Sequence, residues 1–358
     1  MTLYVGGFMK TKFSNVIKIS SVYVATTIGA AFASGQEILK FFTRFEIKSF
    51  IGVLISGVLF LVVALAVLDI VYFHKIKNSR ELLKLLGGSH VGKFFEYMTL
   101  LFSFCVYIIM IAGAAALWNR ITGFSYTLGV ILMSMLCTFL ISFSIKGILA
   151  VSEILTPLMI SGMLYLGVKV ILRSQAVFSL GTSITNNWLV FAFLYVCYNS
   201  ILNVLVMSSM YPLLTTRKTS IYSGILGGTA LFFAMWVLNQ ALFINLKTVR
   251  NTELPMVELS IISGKWDFII YSFILAFALI TTAISSGYCC VEHFEQITKK
   301  PRWVLNICMG ILAVPLANQG FSNMIDVIYP MFGYLGSSLF VLLMIRWIQL
   351  LARKRRKI

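Results

Sequence analysis

Charge is scarce in this sequence. Only 11% of the 358 residues are charged, and only 12 are acidic, against roughly a quarter charged in an ordinary soluble domain. With 59% apolar residues, that shortage excludes a soluble globular chain and leaves a polytopic membrane protein. Histidine is rarer still. His74, His90 and His293 fall in loops or at helix ends and do not group as a metal site. The six cysteines, Cys105, Cys137, Cys197, Cys289, Cys290 and Cys308, all lie in apolar stretches without CxxC spacing, so they read as small hydrophobes rather than disulfide or metal partners. No phosphate-binding glycine loop, nucleophile elbow or zinc motif is present, and no catalytic set for intramembrane chemistry stands out. The expectation is a protein that is not an enzyme and holds no resident cofactor. A cleavable signal peptide is not expected either, because the apolar stretch after residues 1–13 is long enough to span.

The few charges draw the topology. A spanning helix needs about 20 apolar residues, and the uncharged runs between charges place spans near 16–39, 49–72, 95–118, 124–144, 148–171, 188–214, 219–245, 268–292, 303–317 and 324–346. Residues 181–187 have loop chemistry, so the long run from 174 to 216 holds one crossing after an external loop. Ten spans divide into halves of five, about 16–171 and 188–346, followed by a basic tail over 347–358. Five is odd, so the second half traverses the membrane in the opposite sense to the first. That is an inverted repeat within a single transmembrane domain, and the first span of each half is where a broken helix is expected.

The net charge of +17 is topological rather than a nucleic-acid signature. With the amino terminus in the cytoplasm, 20 of the 29 Lys and Arg residues fall on that side, which is the positive-inside bias. Both termini are then cytoplasmic in a cell membrane, and the tail Arg353-Lys354-Arg355-Arg356-Lys357 meets anionic lipid headgroups.

One run interrupts the first span. Gly29-Ala30-Ala31-Phe32-Ala33-Ser34-Gly35-Gln36-Glu37 is small, glycine-containing and increasingly polar. In lipid, backbone that leaves the helix must be satisfied by protein, water or ligand, and secondary transporters build sites from such breaks. Span six carries a matching irregularity at 195–203, where Tyr195, Tyr198, Asn199, Ser200 and Asn203 sit in apolar surroundings. Asn and Ser satisfy an opened turn; the alternative is that Asn199 and Asn203 join helices. Glu37 is the sharpest single candidate, since intramembrane acids are costly and usually functional; otherwise it is a boundary charge beside Lys40 or Arg44. In span eight, Thr281 with Ser285 and Thr282 with Ser286 share faces. With carbonyls from an opened helix, such hydroxyls form a hard-oxygen cage for a small cation; alone, they bond to their own helix.

The remaining polar features have plainer readings. Residues 74–93 suggest an interfacial amphipathic helix stopped by Gly87-Gly88, and 251–264 suggest a short external lid. Glu153 pairs with Lys146 or relays protons. Asp69, Glu292 and Glu295 read as boundary charges, and Asp326 as the N-cap of span ten.

The run at 29–37, the ten spans, the basic cytoplasmic loops and the Tyr-Asn-Ser segment of span six together resemble the uncharacterised YkvI-type bacterial membrane proteins. Those look like members of the amino acid–polyamine–organocation superfamily, with a LeuT-type five-plus-five inverted repeat. The resemblance implies an all-α polytopic membrane protein of about ten helices, with helices 1 and 6 broken and spans 1, 2, 6 and 7 forming a rocking bundle. It implies that Gly29, Ala30 and Ala31 occupy the unwound turn whose amides hold a substrate carboxylate, with Ala31 standing in place of a second glycine. Ser34, Gln36, Glu37, Tyr195, Tyr198, Asn199 and Asn203 complete the expected substrate set. Ala25 and Ile28 match the span-one carbonyls, and Ala278, Thr281 and Thr282 the span-eight motif, of a sodium site. The coupling ion is then Na+ or H+; proton-coupled relatives place a lysine in that ion site, and span five has none between Glu153 and Lys169.

Two functions of different kinds fit. One is a secondary active transporter of a small amino-acid-like or carboxylate-bearing solute, moved by alternating access and coupled to sodium. The other is a ligand-sensing receptor subunit of germinant-receptor type with the same fold and no net flux.

Overall fold

The first apolar segment does not form a single helix. In the computed structural model, which describes the backbone of residues 2–142, 145–174 and 187–355 and the side chains of 13–142, 155–174 and 187–353, it is cut twice. Helix α1 (Thr2–Thr27) stops at Ile28, and Gly29 is extended at φ −98°, ψ −174°. A single turn, α2 (Ala30–Ala33), follows; Gly35 then adopts the left-handed region at φ +83° before α3 (Gln36–Phe41) begins.

The rest of the chain is helical among the described residues. It continues through α4 (Lys48–His74), α5 (Ser79–Thr122), α6 (Tyr126–Ile141), α7 (Ile145–Arg173), α8 (Trp188–Ser208) and α9 (Arg217–Ile244). Then come α10 (Leu246–Val249), α11 (Pro255–Ser263), α12 (Lys265–Thr298), α13 (Arg302–Ala317) and α14 (Phe321–Arg355). Seven of these are long and apolar enough to cross a membrane, and α6 and α13 are shorter apolar helices. With the interrupted first segment they make ten crossings of a multi-pass membrane protein. An even number returns the chain end to the face where it began; α10 and α11 lie on the opposite face.

Packing in lipid has no hydrophobic drive between helices, so close backbone approach and interhelical hydrogen bonds carry it, the latter at about 0.6 kcal/mol each. Helices α1, α4, α8 and α9 are joined in this way. The Tyr23 hydroxyl donates to Phe60 O at 2.8 Å, Ser20 Oγ to Ser223 O at 3.0 Å, and Ser56 Oγ to Ala192 O at 2.9 Å. At Gly228 a Cβ would come within 2.7 Å of Leu61 Cα, so α4 and α9 touch backbone to backbone only because that residue is glycine. Spans one to four each pack against the span five positions later: α1 on α8, α4 on α9, α5 on α12 and α6 on α13.

Several expectations are corrected. Span six is one continuous helix from Trp188 to Ser208, not broken at 195–203. Its polar side chains turn back onto the helix, Asn199 Nδ2 to Tyr195 O at 2.9 Å and Ser200 Oγ to Val196 O at 2.7 Å, so they decorate the turn without opening it. Asp326 is not the N-cap of span ten. That helix starts five residues earlier, at Phe321, and Glu253 Oε2 accepts from Ser322 N at 2.7 Å at its first turn. Asp69 is not a solvated boundary charge: it is buried, accepts from Ser220 Oγ at 3.2 Å and Trp347 Nε1 at 3.3 Å, and lies 3.9 Å from Arg217. Of residues 74–93, His74 ends α4, 75–78 turn the chain, and 79–93 fold as α5's first turns, which bend at Gly88 and run on into span three. The side chains of Lys146, Glu153, Lys354 and Arg355, the loop at 181–186 and the tail over 356–358 lie outside the described residues.

The two glycines of the first span differ in what they demand. At Gly35 the positive φ and a built Cβ only 2.8 Å from Met256 Cγ both oppose a side chain. Gly29 has ordinary φ, and its Cβ would meet nothing within 4 Å. Gly35→Ala is expected to cost about 1–2 kcal/mol from the left-handed backbone alone and to lower the melting temperature in detergent. Gly29→Ala is expected to leave it unchanged, and equal losses in both variants would contradict this assignment.

Candidate functional site

The first break removes four backbone hydrogen bonds in succession. Ile28 N still donates to Val24 O at 2.8 Å, and the ladder resumes with Ala33 N on Gly29 O at 3.0 Å. Between them the carbonyls of Ala25, Thr26, Thr27 and Ile28 and the amides of Gly29, Ala30, Ala31 and Phe32 form no backbone hydrogen bond among the described residues. Each such group costs several kcal/mol in hydrocarbon, and a whole protein's stability is only about 5–15 kcal/mol. The break is therefore tenable only beside polar space, and it borders a cavity of about 360 Å³.

That cavity brings together most of the residues singled out in the sequence. Gly29, Ala30, Ala31, Glu37, Tyr198 and Asn199 line it. So do Ala25, Ile28, Ala278, Thr281 and Thr282, the whole expected ion set. Thr281 Oγ1 donates to Phe277 O at 2.8 Å and Thr282 Oγ1 to Ala278 O at 2.7 Å. Their protons are spent on their own helix, as the plainer reading held, so at the cavity wall these hydroxyls can act only as acceptors. Ser285 and Ser286 line it further along α12.

Four expected residues do not reach it. Ser34 supports the second break, with Oγ donating to Ala31 O at 2.7 Å and accepting from Gln36 N at 3.2 Å. Gln36 is fully buried, and neither amide atom has a hydrogen-bond partner among the described residues. Asn203 Nδ2 donates to Thr27 Oγ1 at 3.0 Å, tying α8 to the last turn of α1. Tyr195 stands behind Glu37, wedged between Phe41 and Phe42 at centroid distances of 5.2 and 4.9 Å.

Glu37 is buried and lines the cavity rather than standing as a boundary charge. It is 4% exposed, and its Oε2 accepts from the Tyr198 hydroxyl at 2.5 Å and the Tyr195 hydroxyl at 3.4 Å. The basic residues of its own segment turn elsewhere: Arg44 Nη1 lies 2.7 Å and Lys40 Nζ 3.5 Å from Asp326.

The cavity is one-sided. Its lining runs from mid-span along α12 to Cys289, along α5 to Ser103 and along α7 to Leu155, towards the face that carries the chain ends. The opposite face is closed. Phe41, Tyr195 and Tyr198 stack above the site, and the Arg44–Asp326 pair ties the end of the first span to α14. Arg120 clamps Glu258 on α11 at 2.6 Å, Met256 N donates to Ser34 O at 2.9 Å, and the Tyr271 hydroxyl donates to Ala33 O. Helix α11 thus sits on the second break like a stopper, and Gly35 is the residue that lets it approach.

Phe102, Ser103, Met159 and Tyr329 line the cavity without having been singled out. An aromatic or methionine in an apolar span looks the same in sequence whether it faces the core or a cavity, so no local signal marks them.

No family model matches the sequence. It is similar to the uncharacterized membrane protein YkvI of Bacillus subtilis (strain 168), 25% identical over 337 residues that cover 91% of this chain and 94% of the relative. It is also similar to the uncharacterized protein YyaD of the same organism, 24% identical over 326 residues, covering 90% and 94%. Among solved structures the chain resembles the inward-facing conformation of Mhp1, with a TM-score of 0.61 at 16% identity over 92% of this chain and 74% of that one. A manganese transporter of Eremococcus coleocola, in complex with an aromatic bis-isothiourea compound, gives 0.60 at 15% identity, covering 94% and 79%. Mhp1 as a nucleobase-cation-symport-1 family transporter, closed with bromovinylhydantoin bound, gives 0.52 at 14% over 88% and 74%. These likenesses establish the LeuT-type fold.

Cys289 reports on this geometry directly, because it is exposed and lines the cavity while Cys137, Cys197 and Cys290 are buried. In a Cys308→Ser background, N-ethylmaleimide is expected to modify Cys289 well before those three. Equal rates at Cys289 and its neighbour Cys290 would mean that the cavity is closed to solvent.

Proposed function

We propose that this chain is a secondary active transporter of a small amino-acid-like or carboxylate-bearing solute, working by alternating access with sodium as the coupling ion. The observation that carries the reading is the opened turn at 28–29, with its four free carbonyls and four free amides beside a cavity closed on one face. A purely structural membrane protein has no use for unpaired backbone at mid-membrane. A transporter uses it to hold a solute and an ion.

The positive-inside bias places both termini in the cytoplasm of a cell membrane, with the basic tail against anionic headgroups. In that orientation the cavity faces inward, and the seal of Arg44 with Asp326 and of α11 on the second break is the closed outer gate. The pairing of α1 with α8, α4 with α9, α5 with α12 and α6 with α13 supports two inverted five-span halves. The bonds joining α1, α4, α8 and α9 support their movement as one bundle against the rest.

Within the site, the amides of Gly29, Ala30 and Ala31 meet a substrate carboxylate, with Glu37, Tyr198 and Asn199 beside it. Ser34, Gln36, Tyr195 and Asn203 hold the broken segment in place. The Ala25 and Ile28 carbonyls, the Ala278 turn and the Thr281 and Thr282 oxygens form the sodium site. The donor set suits a hard monovalent cation: neutral oxygens, without the His, Cys, Asp or Glu cluster that a transition metal prefers, and no such cluster occurs among the described residues.

Purified protein in liposomes is expected to accumulate at least one member of an amino acid panel when a sodium gradient is imposed. Thr281→Ala combined with Thr282→Ala is expected to raise the sodium concentration for half-maximal uptake by about tenfold, equivalent to roughly 1.4 kcal/mol of ion binding. Failure of every gradient-driven uptake would remove the transport reading. Uptake with unchanged sodium activation in the double variant would remove the ion site alone.

A further inference from the structure

A second cavity lies outside the site described above, at the surface between α6 and α13. Its volume is about 390 Å³, and its wall is mostly apolar, formed by Ile131, Met135, Phe139, Ile307, Ile311 and Val314. Met135, Phe139 and Ile311 are 66%, 62% and 66% exposed, so the cavity is an open groove on the lipid side of the helices. Its floor is fixed. Ser134 Oγ donates to Gly310 O at 2.8 Å, and Asn306 Nδ2 donates to Thr138 O at 2.6 Å and to Ser142 Oγ at 3.0 Å. A side chain at Gly310 would collide with Thr138 Oγ1, so only glycine lets the two helices close beneath the groove.

Both helices are short. Each has 16 residues, about 24 Å at 1.5 Å per residue, against a hydrocarbon core of about 30 Å. A bilayer thins beside spans of that length, which draws head groups inwards along α6 and α13. Trp303, 65% exposed in the first turn of α13, marks the interface at the end of the groove nearer the chain termini.

The charge at that end is unpaired. Lys299, Lys300 and Arg302 follow one another in the turn from α12 into α13, and none has an acidic partner among the described residues. Glu292 and Glu295, on the last turns of α12, take part in no described ion pair either. Arg302, Asn306 and Gly310 recur every four residues, on one face of α13. The Arg302 guanidinium lies 4.0 Å over the Tyr288 ring, with Nη1 donating to the Tyr288 hydroxyl at 3.3 Å. Its Nε and Nη2 are shielded from water and have no acceptor among the described residues. That is the edge with which Arg120 holds both carboxylate oxygens of Glu258, at 2.6 and 3.1 Å. A phosphodiester offers the same pair of oxygens.

We infer that the groove between α6 and α13 binds an anionic phospholipid, one acyl chain along the apolar wall and the phosphodiester on Arg302, Lys299 and Lys300. Basic pockets between helices on the cytoplasmic side are where acidic head groups bind. Cations at one end of an apolar trough select a lipid over a free phosphate. The orientation proposed above supplies only the leaflet, the inner one, and the site does not depend on transport.

The test is native mass spectrometry of the full chain, stripped of lipid in detergent and titrated with dioleoylphosphatidylglycerol, dioleoylphosphatidylcholine or glycerol 3-phosphate. The phosphatidylglycerol is expected to be retained at one tightly held molecule per chain, about tenfold or more tightly than the phosphatidylcholine. Glycerol 3-phosphate, which lacks the chains, is expected not to bind measurably. Lys299→Gln, Lys300→Gln and Arg302→Gln together are expected to erase the preference for phosphatidylglycerol with the basic tail left intact. Ile311→Trp, at an exposed position, is expected to fill the groove and weaken both lipids. No retained lipid, equal binding of the two lipids, a preference that survives the triple variant, or glycerol 3-phosphate binding as tightly as the phosphatidylglycerol each overturns the inference. So does a dimer that Ile311→Trp converts to monomer without loss of lipid, which would make the groove an interface between copies. Liposome uptake stands apart: loss of all gradient-driven uptake removes the transport reading and leaves the lipid site in place.

Discussion

Everything in this structure follows from the constraint that backbone in a bilayer must find hydrogen bonds. Nearly every turn meets it internally, as helices do. The departure that borders the cavity, among the described residues, is the stretch from Ala25 to Phe32, where the i to i−4 ladder fails at four consecutive positions. Those eight groups give a cavity of otherwise largely apolar lining its polar wall.

The support is asymmetric. Above the break the chain is held from several directions: by α11 on Ser34 and Gly35, by Tyr271 on Ala33, and by Asp326 on Arg44. Below it, Asn203 joins Thr27 at the end of α1 to α8, and Tyr23 and Ser20 tie α1 to α4 and α9, while the cavity lies on the remaining side. The interactions on the closed face are not equal in strength. The Arg44–Asp326 pair is partly exposed and worth little as a stability term, so it separates at little cost. The packing of Met256 against Gly35 and the Tyr198–Glu37 bond are buried and cost more to separate.

Much of this was legible in the sequence because lipid imposes simple rules. The scarcity of charge marked the spans, and the small polar run at 29–37 marked the break, since no stable transmembrane helix puts Gly, Ser, Gly, Gln and Glu in one stretch without cause. Residues at fixed spacing on one helix, such as Ala278, Thr281 and Thr282, could be grouped before their surroundings were known. What failed did so for physical reasons. Asn199 and Ser200 looked like the marks of a second break, yet both bond their own i−4 carbonyls, and sequence does not show which way such a side chain turns. Asp69 looked like a boundary charge and Asp326 like a helix cap because their partners, Trp347 and Arg44, are 278 and 282 residues away in the chain. Tyr329 and Phe102 gave no signal, because an aromatic ring facing a cavity has the same neighbours in sequence as one facing lipid.

The central claim is that the amides of residues 29–32 face a solute cavity rather than a closed helix. Hydrogen–deuterium exchange of the purified protein measures this directly, by comparing the peptide that covers the break with those from mid-α1 and mid-α8. The account predicts that the break exchanges far faster than either flanking helix in the absence of solute, and slows when a solute that stabilises the protein is added. Protection at 29–32 equal to that of the flanking helices, with or without solute, would contradict it.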